Sequence, residues 1–404
     1  MDPITHCVTG ALLGKACFSN DPAEPKGRIA LFAATLGSVF PDVDFVAEFF
    51  SRDPLAIARF HRGFTHSFIG LPLFAAALAW LTQWWQRRRG RDCPSFAALF
   101  AAYAMGIASH IVLDAMTTFG TRIWSPLSSG RAAWDLLVII DFALTAIVLL
   151  PQVIAWIYRD PALSASRAPR MWILFSLAAA GAWELAGAAG FPFALQIVAG
   201  ASALFGVLVV LPARFGWKLP TSRRIWCQAG VGATVVYLIA CGAAHHAAMA
   251  RVEAFAAGQQ IAVERLAALP MPPSLLDWSG AIRTADGVYF SRFDLRDAGP
   301  PQFSFVADSP PNRYITAARE QRDVGLYLWF SRFPTIHYSQ QGSQEIIDFS
   351  DARFFGRRRG EPAPFTFRVV LDADGRLIEE GWIGALTYPR RKVRGPAAPP
   401  ADSK

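Results

Sequence analysis

Four motifs within the first 114 residues carry the side chains best suited to chemistry. Asp2-Pro3-Ile4-Thr5-His6 opens one apolar segment with an imidazole, and Pro41-Asp42-Val43-Asp44 closes another with two carboxylates. His61-Arg62-Gly63-Phe64-Thr65-His66 sets two imidazoles before a third segment. His110-Ile111-Val112-Leu113-Asp114 separates an imidazole and a carboxylate by four residues. On a helix that spacing puts both side chains on one face, one turn apart. Nitrogen and oxygen donors without sulfur suit a divalent cation, zinc first and manganese second. The five cysteines show no CxxC spacing, so neither a thiolate site nor a disulfide framework is expected. No HExxH, nucleophile elbow, P-loop or dinucleotide fingerprint competes with this chemistry.

Each motif has a plainer reading on its own. PDxD is a common helix stop with capping carboxylates, and HxxxD can be a pair on a helix surface. A lone histidine in an apolar helix is more often a hydrogen-bonded core residue, the reading kept for His245, His246 and His337. Only convergence of the motifs would make a site, and convergence depends on the elements that carry them.

Those elements are apolar. The chain is 53% hydrophobic and 17% charged, where ordinary soluble domains are ~25% charged. Stretches at 66–86, 96–118, 135–158, 171–190, 193–212 and 226–248 are long enough for the roughly 20 residues a bilayer requires. Two shorter ones, 4–18 and 29–40, are expected to pack on the spans as bundle helices. Antiparallel packing then gathers the motifs. His6 begins the first short helix, Asp42 and Asp44 end the second, His66 begins the first span, and His110 with Asp114 ends the next. Ionisable groups in a bundle persist only where they find partners.

After Arg251 the character changes. A polar helical stretch reaches Pro270-Met271-Pro272-Pro273, and strand-like runs follow at 287–295, 302–307, 325–333 and 365–371, with a hairpin turn at 371–376. The expected fold is therefore an all-α polytopic membrane helical bundle with a C-terminal mostly-β soluble domain. Its parts are a metal-binding region 1–150, additional transmembrane helices 151–250, a helical linker 251–273, the β domain 274–390 and a disordered tail 391–404.

The net charge of +8 does not point to nucleic acid, because the basic residues sit in short loops between apolar segments. The start of the chain lacks the basic region of a cleavable signal peptide, so insertion is expected to rely on the apolar segments. Lys26, Arg28, Arg87, Arg88, Arg89, Arg91, Arg159, Arg167, Arg170, Arg214, Lys218, Arg223 and Arg224 fall on one side of the alternating spans, against Arg52, Arg59, Arg62, Arg122 and Arg131 on the other. The positive-inside rule makes the first side cytoplasmic. The motifs and the β domain are then extracytoplasmic at an inner (plasma) membrane.

The four motifs, followed by Thr118-Phe119-Gly120-Thr121, resemble the YdjM/YbcI type of membrane-bound metal-dependent hydrolase over about residues 1–150. That type is in turn distantly similar to zinc-dependent phospholipase C and the single-strand-specific zinc nucleases. The resemblance implies metal ligation by His6, Asp42, His61, His66, His110 and Asp114, more donors than one tetrahedral zinc takes, hence two or three ions. Asp44 is implied as a ligand or a base, and Arg62 as the partner of an anionic group, since guanidinium suits phosphate. Thr118 and Thr121 are implied as supporting donors, with a simple helix terminus over Thr117–Thr121 as the equal alternative. Asp141, taken to lie inside a span, would support a ligand histidine or bond a nearby hydroxyl. Trp124, Pro126 and Trp134 are expected to seat a loop at the membrane interface.

The chemistry implied is metal-assisted hydrolysis of a lipid or envelope phosphoester, a bound ion lowering the pKa of water from ~15.7 towards ~7. Two rivals stand beside it. One is a non-catalytic membrane protein whose metal holds the short helices while its β domain binds a partner. The other is a metal transporter, disfavoured because the ligands cluster at one end and form no track.

Overall fold

The computed structural model describes residues 1–18, 25–51, 53, 55–188, 194–217, 222–272, 275–355, 363–383 and 391–392. The helices are α1 (Pro3–Cys17), α2 (Pro25–Gly37), α3 (Phe45–Phe50), α4 (Ala56–Phe60), α5 (Gly70–Arg88), α6 (Phe96–Ala115), α7 (Phe142–Tyr158), α8 (Pro161–Ala188), α9 (Leu195–Arg214) and α10 (Arg223–Gly258). The strands β1 (Arg265–Pro270), β2 (Asp277–Thr284), β3 (Gly287–Asp294) and β4 (Ser304–Ala307) come next. Helices α11 (Arg313–Arg319) and α12 (Arg322–Phe330) precede β5 (Pro334–Gln341), β6 (Gln344–Asp351), β7 (Thr366–Leu371), β8 (Leu377–Ile383) and β9 (Arg391–Lys392).

The chain divides into two compact units. The first comprises Met1–Asp44, Arg62–His246 and Pro270–Asp277. The second comprises Phe45–His61, Ala247–Leu269 and the chain from Trp278 onward. Among the described residues of the helical region, α6, α8, α9 and α10 are long and apolar enough to cross a membrane; α2 and the turn after it, bent by 52°, make a fifth if taken as one span. The expected spans at 66–86 and 135–158 differ from this. Helix α5 ends in polar and basic residues, Gln83, Gln86, Arg87 and Arg88, and α7 has only 17 residues because residues 135–141 belong to the loop before it.

In the first unit the helix starts follow from local chemistry. The Asp2 carboxylate caps α1 through Thr5 N, with Pro3 at the first position; Ser95 caps α6 through Ala98 N. Helices α1, α2 and α6 pack closely because glycines face their neighbours. A Cβ on Gly37 would stand 2.7 Å from the Tyr103 carbonyl oxygen. One on Gly106 would stand 2.7 Å from Ser38 N and closer still to the Ala34 carbonyl. Ala33, Ala34, Ala75, Ala79, Leu99 and Ile107 form the core around this approach.

The second unit carries two antiparallel sheets, β1-β2-β3-β4 and β5-β6-β7-β8-β9 in order. Ala267, Leu269, Ala281, Val288, Phe333 and Ala352 form one of its cores. The hairpin at 371–376 is present, with Gly375 at φ +84°. The strand expected at 325–333 is instead α12. Val324, Tyr327 and Phe330 are buried at three-residue spacing, a helical period hidden inside an alternating run. The stretch expected to be helical to 269 stays helix only to Gly258 and then enters β1. The tail expected at 391–404 lies outside the described residues, except Arg391 and Lys392 in β9.

Candidate metal centre

Seven of the eight expected site residues, His6, Asp42, Asp44, Arg62, His66, His110 and Asp114, meet in the first unit. Helix α6 presents His110 and Asp114 on one face, α1 presents His6, and the 3-10 turn at Phe40–Asp44 ends α2 with Asp42 and Asp44. His66 closes a second 3-10 turn, Phe64–His66, just before α5. His6, His66, His110 and Asp114 are essentially without solvent exposure. His61 is counted with the second unit, where it follows α4 and packs its ring 4.2 Å from that of Phe45.

Proton positions follow from the outer partners. His110 Nδ1 lies 2.7 Å from the Ser38 carbonyl oxygen, so it donates there and its Nε2 carries a lone pair. His66 Nδ1 lies 3.1 Å from Asp44 Oδ2, which fixes that ring in the same sense. Asp44 Oδ2 also accepts from Arg62 N at 2.9 Å and from the Thr65 hydroxyl at 3.1 Å. The two Nε2 atoms consequently face each other at 3.0 Å. Two lone pairs at that distance require a proton or a cation with them.

The donor spacing suits a cation. Asp42 Oδ1 is 3.5 Å from both Nε2 atoms, and Asp114 Oδ2 is 3.4 Å from that of His66 and 3.6 Å from that of His110. A tetrahedral zinc with ligands at ~2.0–2.1 Å holds its donor atoms ~3.3 Å apart. Each of these triangles is the size of one face of such a site. His6 stacks on His110, ring centroids 3.6 Å apart, and with Asp42 and His110 makes a further group able to hold an ion. Asp42 Oδ2 and His6 Nδ1 are buried with no hydrogen-bond partner among the described residues. Such atoms are costly unless something further meets them.

Charge around the cluster is uneven. Burial, with His110 beside it, pushes the His6 imidazole down to about 3, in keeping with a neutral ring. Burial would lower His66 too, but Asp114, Asp42 and Asp44 outweigh it and push that imidazole up to about 10. The carboxylates thus draw positive charge to His66. Asp114 is the best supplied of them. Its Oδ1 pairs with the Met1 α-amino group and lies 3.2 Å from His6 Nε2, while Arg62 Nε is 2.8 Å from its Oδ2.

Arg62 is buried, takes a left-handed backbone conformation (φ +58°), and donates to the Thr117 hydroxyl at 2.8 Å. Its guanidinium lies over the Phe119 ring at 4.9 Å, and that of Arg131 lies over the same ring at 5.3 Å. Arg122 N donates to the Arg62 carbonyl at 3.1 Å.

Residues 1–191 match the YdjM inner membrane protein family. This match takes in all four motifs, and together with four or more apolar membrane-length helices among the described residues it supports a multi-pass inner membrane protein. No curated protein and no solved structure matches the chain. The second unit therefore has no counterpart in these comparisons apart from Phe45–His61, which lies inside the YdjM match.

Several neighbours of the YdjM motifs were not legible beforehand. The Ser38 carbonyl and the Met1 amine are backbone groups, which no side-chain pattern marks. Thr117 lies where the sequence suggests only a helix end, yet its hydroxyl bridges Arg62 and the Asp114 carbonyl. Arg122 and Arg131 were counted only as loop charges; their nearness to Thr118-Phe119-Gly120-Thr121 was the available signal. Thr121 forms a backbone bridge with Ala132 across that loop. Asp141 lies outside any span, as the N-cap of α7, bonded to Leu144 N and the Tyr237 hydroxyl at 2.9 Å each.

Proposed function

We propose that this protein is a metal-dependent hydrolase of a lipid or envelope phosphoester, with His6, Asp42, His66, His110 and Asp114 holding divalent cations, zinc being the ion such donors suit. The observation that carries the reading is the pair of Nε2 atoms 3.0 Å apart, each with its Nδ1 already engaged. The resemblance adds His61 to the ligands. When bound, such ions supply Lewis acidity and a more acidic water.

The chain's own residues supply the rest. Asp44 holds the His66 ring and, through Arg62 N, the turn between the two motifs. Arg62, buried against Asp114, together with Arg122 and Arg131 brings positive charge to this end of the bundle, where a phosphate would be received. A lipid-level substrate is supported by the loop after α6, which exposes Trp124, Leu127 and Trp134 as interface residues do. The orientation proposed is site outward, from the bias in basic loop residues.

The internal pairing of Asp114 with Arg62 and the Met1 amine favours a second reading, in which a metal only braces the helices. Purified full-length protein decides between them. Element analysis after detergent extraction should find divalent metal at one or more ions per chain. Phosphate release from phosphomonoester and phosphodiester lipids in mixed micelles should stop with a chelator and return with added zinc. Retained metal without turnover on any such lipid would leave the bracing role, and absence of bound metal would overturn both readings. Cysteine labelling at positions 53 and 128 in a cysteine-free background tests the orientation; labelling only after permeabilisation would reverse it.

A further inference from the structure

At the opposite end of α5 and α6 from His66 and His110, a groove of about 1200 Å³ lies along α2 and the end of α5. Its walls are apolar, with Ile29, Phe32, Leu36, Leu81 and Trp85 among them. Phe32, Leu81 and Trp85 are 61%, 48% and 48% exposed. Its rim is basic, with Arg28 from α2 and Arg91 from the turn after α5; Asp92 is the acidic residue among the described lining. A smaller hollow of about 340 Å³ continues onto Trp84, Arg87 and Arg88. Arg88 and Arg89 lie over the Trp84 and Trp85 rings, each at 4.3 Å, which holds guanidinium charge beside the apolar wall.

We infer that this groove is a binding site for an anionic phospholipid, an acyl chain lying along the α2–α5 wall and the headgroup phosphate between Arg28 and Arg91. A fully apolar groove would take any lipid. One whose open end carries two guanidiniums, with more in the adjoining hollow, discriminates by headgroup charge, as basic pockets between membrane helices do. This site is separate from the metal centre and needs no catalysis, so it stands whether or not the hydrolase proposal does.

The test uses the full-length protein in vesicles of phosphatidylcholine doped with spin-labelled phosphatidylglycerol or spin-labelled phosphatidylcholine. The immobilised fraction should be larger for the phosphatidylglycerol label. Replacing both Arg28→Gln and Arg91→Gln should cut the relative affinity by about 5-fold per arginine, corresponding to the ~1 kcal/mol of a basic residue near an anionic headgroup. Leu81→Trp, which fills the groove without changing charge, should also lower the immobilised fraction. Arg159→Gln with Arg170→Gln, at the end of α7 and in the first part of α8, should leave it unchanged. Equal retention of the two labels, or an equal loss from the Arg159/Arg170 pair, would show ordinary boundary lipid and overturn the site. Loss with the arginine variants but not with Leu81→Trp would place the anion elsewhere than in the groove.

Discussion

Asp114 in the first unit and Asp351 in the second are both about 1% exposed, and both face a guanidinium. Their surroundings differ in a way that separates structure from chemistry. Asp351 is closed by donors. The Arg353 side chain donates at 2.8 Å, the Ser331 hydroxyl at 2.8 Å, and the backbone N–H groups of Arg332, Phe333 and Arg353 at 2.9, 3.3 and 3.0 Å. Every neighbour gives a proton and the site is complete. Asp114 has cations at its back but looks towards two imidazole lone pairs and a second carboxylate, Asp42, that has an unmet oxygen. A buried carboxylate is thus no mark of function by itself. An excess of acceptors around it is.

The widest gap between the two regions should appear in metal content. Replacing His110→Ala and Asp114→Ala together should reduce bound metal to background by element analysis, whereas Asp351→Ala should leave it unchanged. Equal metal in the double variant and the parent would erase the distinction. Asp351→Ala should instead destabilise the second unit by about 3–5 kcal/mol, the usual cost of breaking a buried pair, read as faster proteolysis or a lower melting temperature.

The same carboxylate gives a pH test. Burial would raise its pKa, but Arg353 and the donors hold it below the ordinary carboxylate range. The stabilisation is fully present above the unfolded value of ~3.9 and is lost as pH falls through the lower folded value. Acid unfolding of the second unit should begin below pH ~4 in the parent, and Asp351→Ala should flatten that dependence.

Gly106→Ala should cost about 1–3 kcal/mol in the first unit, because its Cβ meets backbone of α2. It should also weaken metal retention by moving the Ser38 carbonyl off His110. Stability loss with full metal retention would show that the glycine serves packing alone. The smallest effect expected is Thr117→Val, at about 1 kcal/mol, measured by thermal unfolding, since only a hydroxyl bridge between Arg62 and the Asp114 carbonyl is lost.

Much of the candidate metal centre could be read one motif at a time because its geometry is local. Four residues from His110 to Asp114 make one helix turn wherever the helix sits, and the apolar runs dictate helices that must return to the same end. The helical bundle and the β domain were legible for the same reason, since period and composition differ between them. The run at 325–333 was not. Its residues alternate like a strand, and only burial of Val324, Tyr327 and Phe330 on one side makes it a helix. Nor could sequence show that Phe45–His61, flanked by the site residues Asp44 and Arg62, is counted with the second unit.

Residue types and spacing by themselves determined that imidazoles and carboxylates would cluster at one end of an apolar bundle. Tertiary structure alone decided which of their atoms face one another. The choice rests on the Ser38 carbonyl reaching His110 across 72 positions and the Met1 amine reaching Asp114 across 113. A main-chain carbonyl is present at every residue and the α-amine has no side chain to mark it, so their partners are set only when α1, α2 and α6 pack.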